Sequence, residues 1–306
     1  MKEFHVEDRL FIGILRAIGI LTIALLVLIF LMLLTRSQPL LQTMGLQFFY
    51  ISEWNPVTDE YGALAFIYGT VVSSLLALLI ATPLSVGVAL FLTDVVPGRT
   101  AKLVGFLVEM LAAVPSVVYG LWGIFVLAPW VREKIQIPVG GSLGEFPLFS
   151  GPPLGVGMLT AGMILAIMVT PTISTICREV FSAISRNQRE AALALGSTRW
   201  EMMRIAVLKS STTGILGAVT LGLGRAIGET MAVTMVIGNR NSISPSLFAP
   251  GQTMASLIAN EYAEATTESH LSALAAIGLA LMLVSLIINS FARLIVRGMT
   301  SKGSKG

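Results

Sequence analysis

Ser185-Arg186-Asn187-Gln188-Arg189-Glu190-Ala191-Ala192-Leu193-Ala194-Leu195-Gly196-Ser197-Thr198-Arg199-Trp200-Glu201 is the most polar and most basic island in a chain of 306 residues that otherwise reads as lipid-soluble. Its spacing describes two short helices with a corner between them. Ser185 with Gln188, and Thr198 with Glu201, each fit a capping box, in which a hydroxyl accepts from the backbone three residues on and the later side chain reaches back. Gly196 falls where a residue of positive φ can end the first helix, a conformation glycine accepts without a Cβ clash. The island is therefore expected to be a folded knob.

Outward from the knob the composition is 55% hydrophobic and only 12% charged, against roughly 25% charged in an average soluble domain. That identifies a polytopic membrane protein. A net charge of +3 is too small to point to nucleic acid, so the placement of charge carries more than its size. Cys177 is the single cysteine; it cannot form an intrachain disulfide and has no ligand cluster around it, which removes redox and zinc readings. His5 and His270 are isolated, and surface roles are expected for them rather than metal binding.

A bilayer core about 30 Å thick needs about 20 apolar residues in a helix. Six segments qualify: Phe11 to Leu34, Phe66 to Leu92, Leu103 to Ala128, Leu154 to Ile176, Thr212 to Ile237 and Leu271 to Ile295. The first is longer than a signal-peptide apolar core of roughly 7 to 15 residues and no small-x-small site follows it closely, so it reads as a retained span. With the N-terminus inside, Lys2, Arg9, Arg99, Lys102, Arg178, Arg204, Lys209, Arg293, Arg297, Lys302, Lys305 and the arginines of the knob are cytoplasmic. The other side keeps Arg36, Arg132, Lys134 and Arg240 with acidic and aromatic loops. This satisfies the positive-inside rule and puts the knob and both termini in the cytoplasm of a multi-pass cell-membrane protein.

The connection from Arg36 to Ala65 is long and external, with a short surface helix expected near Phe48 to Tyr50, whereas Asp94 to Lys102 is a tight turn around Pro97 and Gly98. The external stretch Trp130 to Pro153 is rich in glycine and proline and reads as an ordered vestibule loop or a flexible connector. Pro83, Pro115 and Pro171 lie inside spans; each removes a backbone hydrogen bond, so kinks around a pathway and plain packing kinks are both open. The chain divides into residues 1–65 (first span and external loop), 66–297 (core, with the loop 185–209) and a tail, 298–306.

In the fifth span, Arg225 lies 13 residues after Thr212, which at 1.5 Å per residue is about 20 Å into the bilayer core. An arginine there costs on the order of 2.5 to 3.5 kcal/mol on insertion scales and should face the bundle interior with a partner. Glu229, at i+4, is the nearest candidate. The pair is either a structural ion pair or a guanidinium fork for an anion that Glu229 holds or releases. Gly224 and Gly228 form a G-x-x-x-G packing face, not a dinucleotide fingerprint.

Glu190-Ala191-Ala192 and Gly196, followed by Ile205 and Leu208, resemble the EAA loop of ABC-importer permeases; Lys209 stands where a proline usually follows the leucine. Leu111-Ala112-Ala113-Val114-Pro115-Ser116, Gly224-Arg225-Ala226-Ile227-Gly228-Glu229-Thr230-Met231-Ala232-Val233 and Ala259-Asn260-Glu261-Tyr262-Ala263-Glu264 are similar to the membrane subunits of phosphate-specific ABC importers, the Pst system, and most to its C-type permease. The resemblance implies an all-α, six-helix transmembrane bundle of the type I ABC-importer kind. It implies a second, homologous permease as heterodimer partner, two cytoplasmic ATPase subunits that bind the ATP, and an extracytoplasmic phosphate-binding protein. Glu190, Ala191, Ala192, Gly196 and Trp200 would then dock on the ATPase, with Met202 and Met203 offering adaptable apolar contact. No cofactor and no metal site is expected in this chain, and no enzymatic activity. Gly298 to Ser304 only superficially resembles a phosphate loop, because Ser304 occupies the lysine position. Molybdate or sulfate as the anion, and an ion-coupled secondary transporter, are the alternatives; the latter would be expected to show repeated halves, and none is evident.

Overall fold

The computed structural model describes residues 6–96 and 98–303, so the expected turn residue Pro97, as well as Lys2, His5 and the chain beyond Gly303, lie outside the described residues. It is almost entirely helical. The helices are α1 (Val6–Met44), α2 (Leu64–Leu90), α3 (Gly98–Ala113), α4 (Ser116–Trp122), α5 (Ala128–Val131), α6 (Ile137–Leu143) and α7 (Met158–Ser182). They continue as α8 (Arg186–Ala194), α9 (Arg199–Met202), α10 (Thr212–Gly228), α11 (Met231–Val236), α12 (Met254–Glu261) and α13 (Glu268–Gly303).

Four of these are long and apolar enough to cross a bilayer: α1 with the 3-10 turn Gly45–Phe49, α2 with its π turn Phe91–Val95, α7 and α13. Two further spans are broken. The expected third span turns by 92° between α3 and the helical stretch Ser116–Leu143. Pro115 sits at the start of α4 with extended backbone; its ring cannot continue α3 but suits the first turn of the next helix. The expected fifth span stops at Gly228 and restarts at Met231. Pro83 and Pro171, by contrast, lie inside the unbroken helices α2 and α7.

α7 is the central post. Ile164, Leu165, Met168, Val169, Ile173, Cys177 and Phe181 are all buried along it, whereas the most apolar stretch of α1 buries nothing within the chain. Because lipid is as apolar as leucine, burial alone does not drive such helices together; close van der Waals approach does. Glycine supplies it: a Cβ at Gly162 would come within 2.5 Å of Leu76, and one at Gly222 within 2.6 Å of Ile173, so α2 and α10 press directly on α7. Ser85 adds a hydrogen bond from α2 to the Thr170 carbonyl (3.1 Å).

A second core lies under the end of the bundle opposite the knob. The strands β1 (Trp54–Asn55) and β2 (Glu60–Tyr61) form a hairpin whose turn uses Asp59 at φ +56° and an Asn55 side chain accepting from the Val57 N–H at 3.0 Å. Phe48, Trp54, Tyr61 and Phe66 pack here with Met254, Leu257, Leu274 and Ile277. α1 runs through Pro39 as far as Met44, and the short helix expected near Phe48 to Tyr50 is a 3-10 turn, Gly45–Phe49, that leaves Leu46 and Tyr50 exposed and drives Phe48 into the core. His270 also departs from its expected surface role. It is buried against the Tyr61 ring, with Nε2 2.9 Å from Glu261 Oε2, an oxygen that also accepts from Trp54 Nε1 at 2.8 Å. Burial pushes the Tyr61 phenol above its ordinary range.

The stretch Trp130 to Pro153 is helical through Leu143, which corrects the expected loop. Pro129 and Pro138 lie within the continuous helical stretch Ser116–Leu143, each two residues after a π turn (Gly123–Leu127 and Arg132–Gln136), and the extra residue of those turns lets the helix pass the rings without breaking.

Candidate functional site: the knob and the broken fifth span

The knob folds as its capping pattern dictates. Ser185 Oγ accepts from the Gln188 N–H at 3.4 Å and starts α8, with only this half of the box formed. α8 ends in a Schellman turn. Gly196 has φ +86°, its N–H donates to the Leu193 carbonyl (3.0 Å), and the Ser197 N–H donates to Ala192 (3.3 Å). Thr198 and Glu201 then form the complete box: Thr198 Oγ1 accepts from the Glu201 N–H (3.3 Å), and the Thr198 N–H donates to Glu201 Oε2 (2.8 Å). These bonds from Thr198 backbone and side chain hold the Glu201 carboxyl below its ordinary range. Beyond α9 the chain runs through a π turn, Met203–Leu208, and a corner at Lys209–Ser211 into α10, bent by 71°. Where the related loops carry proline, Lys209 thus begins the corner.

Which side chains face out differs in part from expectation. Glu190, Ala191 and Trp200 are exposed, and Leu195 is 89% exposed, so the large apolar side chains facing outward from α8, its turn and α9 are Leu193, Leu195 and Trp200. Met202 is buried in the main core and Met203 and Ala192 pack against it, so these residues seat the knob on the bundle. Sequence reasoning missed the anchor that holds this seat. Arg189 forms an ion pair with Asp94 at the end of α2 and donates to the Phe181 carbonyl at the end of α7 (2.6 Å). The only sequence signal was a lone acidic residue at the end of an apolar span. Arg178 and Glu109 make a second pair between α7 and α3.

Arg225 sits in the last turn of α10, partly buried, with Nη1 3.2 Å from Thr172 Oγ1 of α7. The expected pair with Glu229 is not formed: among the described residues the ion pairs are those of Arg178, Arg189 and His270. The i to i+4 geometry needs a helix through Glu229, and the backbone there is extended (φ −70°, ψ 127°). The Arg225 guanidinium, with five N–H donors, therefore keeps most of its fork beside a break in the span. Irregular backbone at membrane depth is tolerated where it is enclosed by protein or lines a watery cavity. Beyond the break, α11 packs closely on α4: a Cβ at Gly120 would lie 3.2 Å from Ala232 Cα, and one at Gly123 2.8 Å from Val236. The outer halves of the two broken spans thus support each other.

Gly224 and Gly228 do not pack as a G-x-x-x-G face inside the chain. A Cβ at Gly228 would meet nothing within 4 Å and one at Gly224 only Asn289 Oδ1 at 3.9 Å. With exposed Leu221 they leave one stripe of α10 open beside Arg225. Among the described residues no group of three or more histidine, cysteine or acidic side chains could hold a metal ion.

Residues 81–301 match the family model described as the binding-protein-dependent transport system inner membrane component. The chain is 44% identical over 297 residues to the phosphate transport system permease protein PstC of Mesorhizobium japonicum, covering 96% of this chain and 91% of that one. It is 49% identical over 266 residues to the protein of the same name from Xylella fastidiosa, covering 86% and 82%. Among solved structures it is similar in fold to a bacterial ABC transporter involved in the import of the acidic polysaccharide alginate, with a TM-score of 0.58 at 18% identity over 95% of this chain and 99% of that one.

Proposed function

Since this chain belongs to the family of binding-protein-dependent transport system inner membrane components, we infer that it is the membrane-spanning permease subunit of an ATP-driven importer of inorganic phosphate. The observation that carries the substrate is the identity of 44–49% to bacterial phosphate transport permeases over most of the chain; it does not favour molybdate, sulfate or a secondary transporter. In this reading the chain pairs with a second, homologous permease along surfaces that include the open stripe of α10. The knob, through exposed Glu190, Ala191, Leu195 and Trp200, docks on ATPase subunits that carry the nucleotide, with the knob and both termini on the cytoplasmic side as the basic residues suggest. A phosphate-binding protein delivers the anion from the other side.

Phosphate carries one to two negative charges near neutral pH, and the guanidinium fork of Arg225 matches its oxygens. Thr172 steadies Arg225 from α7, and the break at Glu229–Thr230 lets water and anion reach it. ATP-driven closure of the partners, felt at the knob, tilts α10 and switches the path between its two openings. Arg225→Ala should abolish phosphate uptake while the complex still assembles and hydrolyses ATP; normal uptake by that variant removes Arg225 from the path.

A further inference from the structure

A cavity of about 340 Å³ opens between α2, α3 and α7 at the knob end of the bundle, away from Arg225. We propose that it binds the phosphate of an anionic phospholipid headgroup. Two cations reach its wall, Lys102 and Arg178, against one carboxylate, Glu109, with which Arg178 is paired. That pair uses one of the guanidinium's five N–H groups. Lys102 makes no ion pair among the described residues. The wall therefore carries a surplus positive charge and free donors, which suits a phosphodiester.

The site is built into α3. Lys102, Phe106 and Glu109 fall on one helical face, at i, i+4 and i+7, and Gly105 lies between them. A Cβ at Gly105 would collide with Arg178 Nη1, so this glycine, unfavourable inside a helix, makes the berth in which the guanidinium crosses α3. The depth points to lipid. Immediately beyond Lys102, α3 turns outward Leu103, Phe106, Leu107 and Met110, all exposed within the chain, so Lys102 stands where the polar helix end meets the bilayer surface. Basic pockets between membrane helices at that level recognise anionic headgroups, and the acyl chain would run down past Phe106. On the far wall, Thr93 Oγ1 is 2.7 Å from Asp94 Oδ2, and Asp94 holds Arg189 of the knob. An occupied pocket thus abuts the joint through which the knob grips α2.

This inference rests on the membrane reading above but not on the transported anion. The assembled transporter is purified from membranes containing phosphatidylglycerol and phosphatidylcholine in equal amounts, and the lipids that remain bound are counted by native mass spectrometry. The wild type should retain phosphatidylglycerol preferentially. Lys102→Gln, at an exposed position that does not threaten folding, should lower that preference about fivefold, equivalent to about 1 kcal/mol for one cation at a membrane surface, and Lys102→Arg should restore it. An unchanged preference in Lys102→Gln overturns the proposal. Displacement of the lipid by excess inorganic phosphate overturns it too, by assigning the pocket to a free anion. Lipid retention and the uptake lost in Arg225→Ala are separate readouts, so either reading can fail alone.

Discussion

Arg189 looked in the sequence like one more cytoplasmic cation, and in the fold it is the clamp of the knob. Its partner Asp94 has a side chain only 4% exposed, and the Arg189 side chain is 17% exposed. Removing one member of a buried pair strands the other, at about 3 to 5 kcal/mol, whereas replacing both with apolar residues is far milder. Asp94→Leu or Arg189→Met alone should therefore lower the thermal midpoint of the purified complex sharply, and the double variant should recover most of it; a double variant as damaged as the singles would show that the pair is not the unit. Glu201 offers a gentler test. Its carboxyl is held below the ordinary range by Thr198, so its cap is intact above the unfolded value near pH 4 and is lost as pH falls through the depressed folded value. Acid should thus lower the hydrogen-exchange protection factors of α9, corrected for the intrinsic rate at each pH, in the wild type, and Glu201→Gln should flatten that dependence.

At the scale of elements, what the sequence made legible was whatever is written locally. Caps, the Gly196 corner and four unbroken spans follow from hydroxyl, glycine and apolar spacing along a few turns. The broken spans were not legible, because a hydropathy window averages over the very residues that break. Val114-Pro115 and Glu229-Thr230 sit inside apolar runs long enough to pass as single helices. The failed Arg225–Glu229 pair has the same origin, since i to i+4 reasoning assumes that the helix continues. The sequence offers Met202 and Met203 as docking residues because neighbours in sequence do not reveal which side of a short helix and its following turn faces the bundle. Gly196 supplies the element-scale prediction. At φ +86° any residue with a Cβ is strained by about 1 to 2 kcal/mol, although open space surrounds the position. Gly196→Ala should loosen the corner and lower uptake per ATP hydrolysed, and Gly196→Pro should uncouple the two more completely while the protein stays in the membrane. Unchanged coupling in both would reduce the knob to a surface loop.

Across the whole molecule, besides the seat made by Met202, Met203 and Ala192 and the chain's own entry from α7, two links of the knob to the bundle reach other helices. One is the corner at Lys209–Ser211 into α10, whose far end carries Arg225; the other is the Arg189 clamp onto α2 and α7. Because α2 and α10 both press glycine-close on α7, a push at the knob should move these helices together, and the bend must be taken up elsewhere. The break at Glu229–Thr230 is the available hinge, since α11 beyond it is held to α4 instead. This division can be tested by tying α11 to α4. A Cβ at Gly120 would stand 3.2 Å from Ala232 Cα and 2.5 Å from Met235 Sδ, so Gly120→Cys/Ala232→Cys brings two thiols into contact once the flexible Met235 side chain yields; the one native cysteine, Cys177, is buried, and loss of free thiol on oxidation reports the bond. If α4 and α11 travel as one body about the hinge, oxidised transporter should take up substrate at about the reduced rate. Loss of uptake on oxidation, restored by a reductant, would mean that the half-helices part during the cycle and that the hinge lies between them.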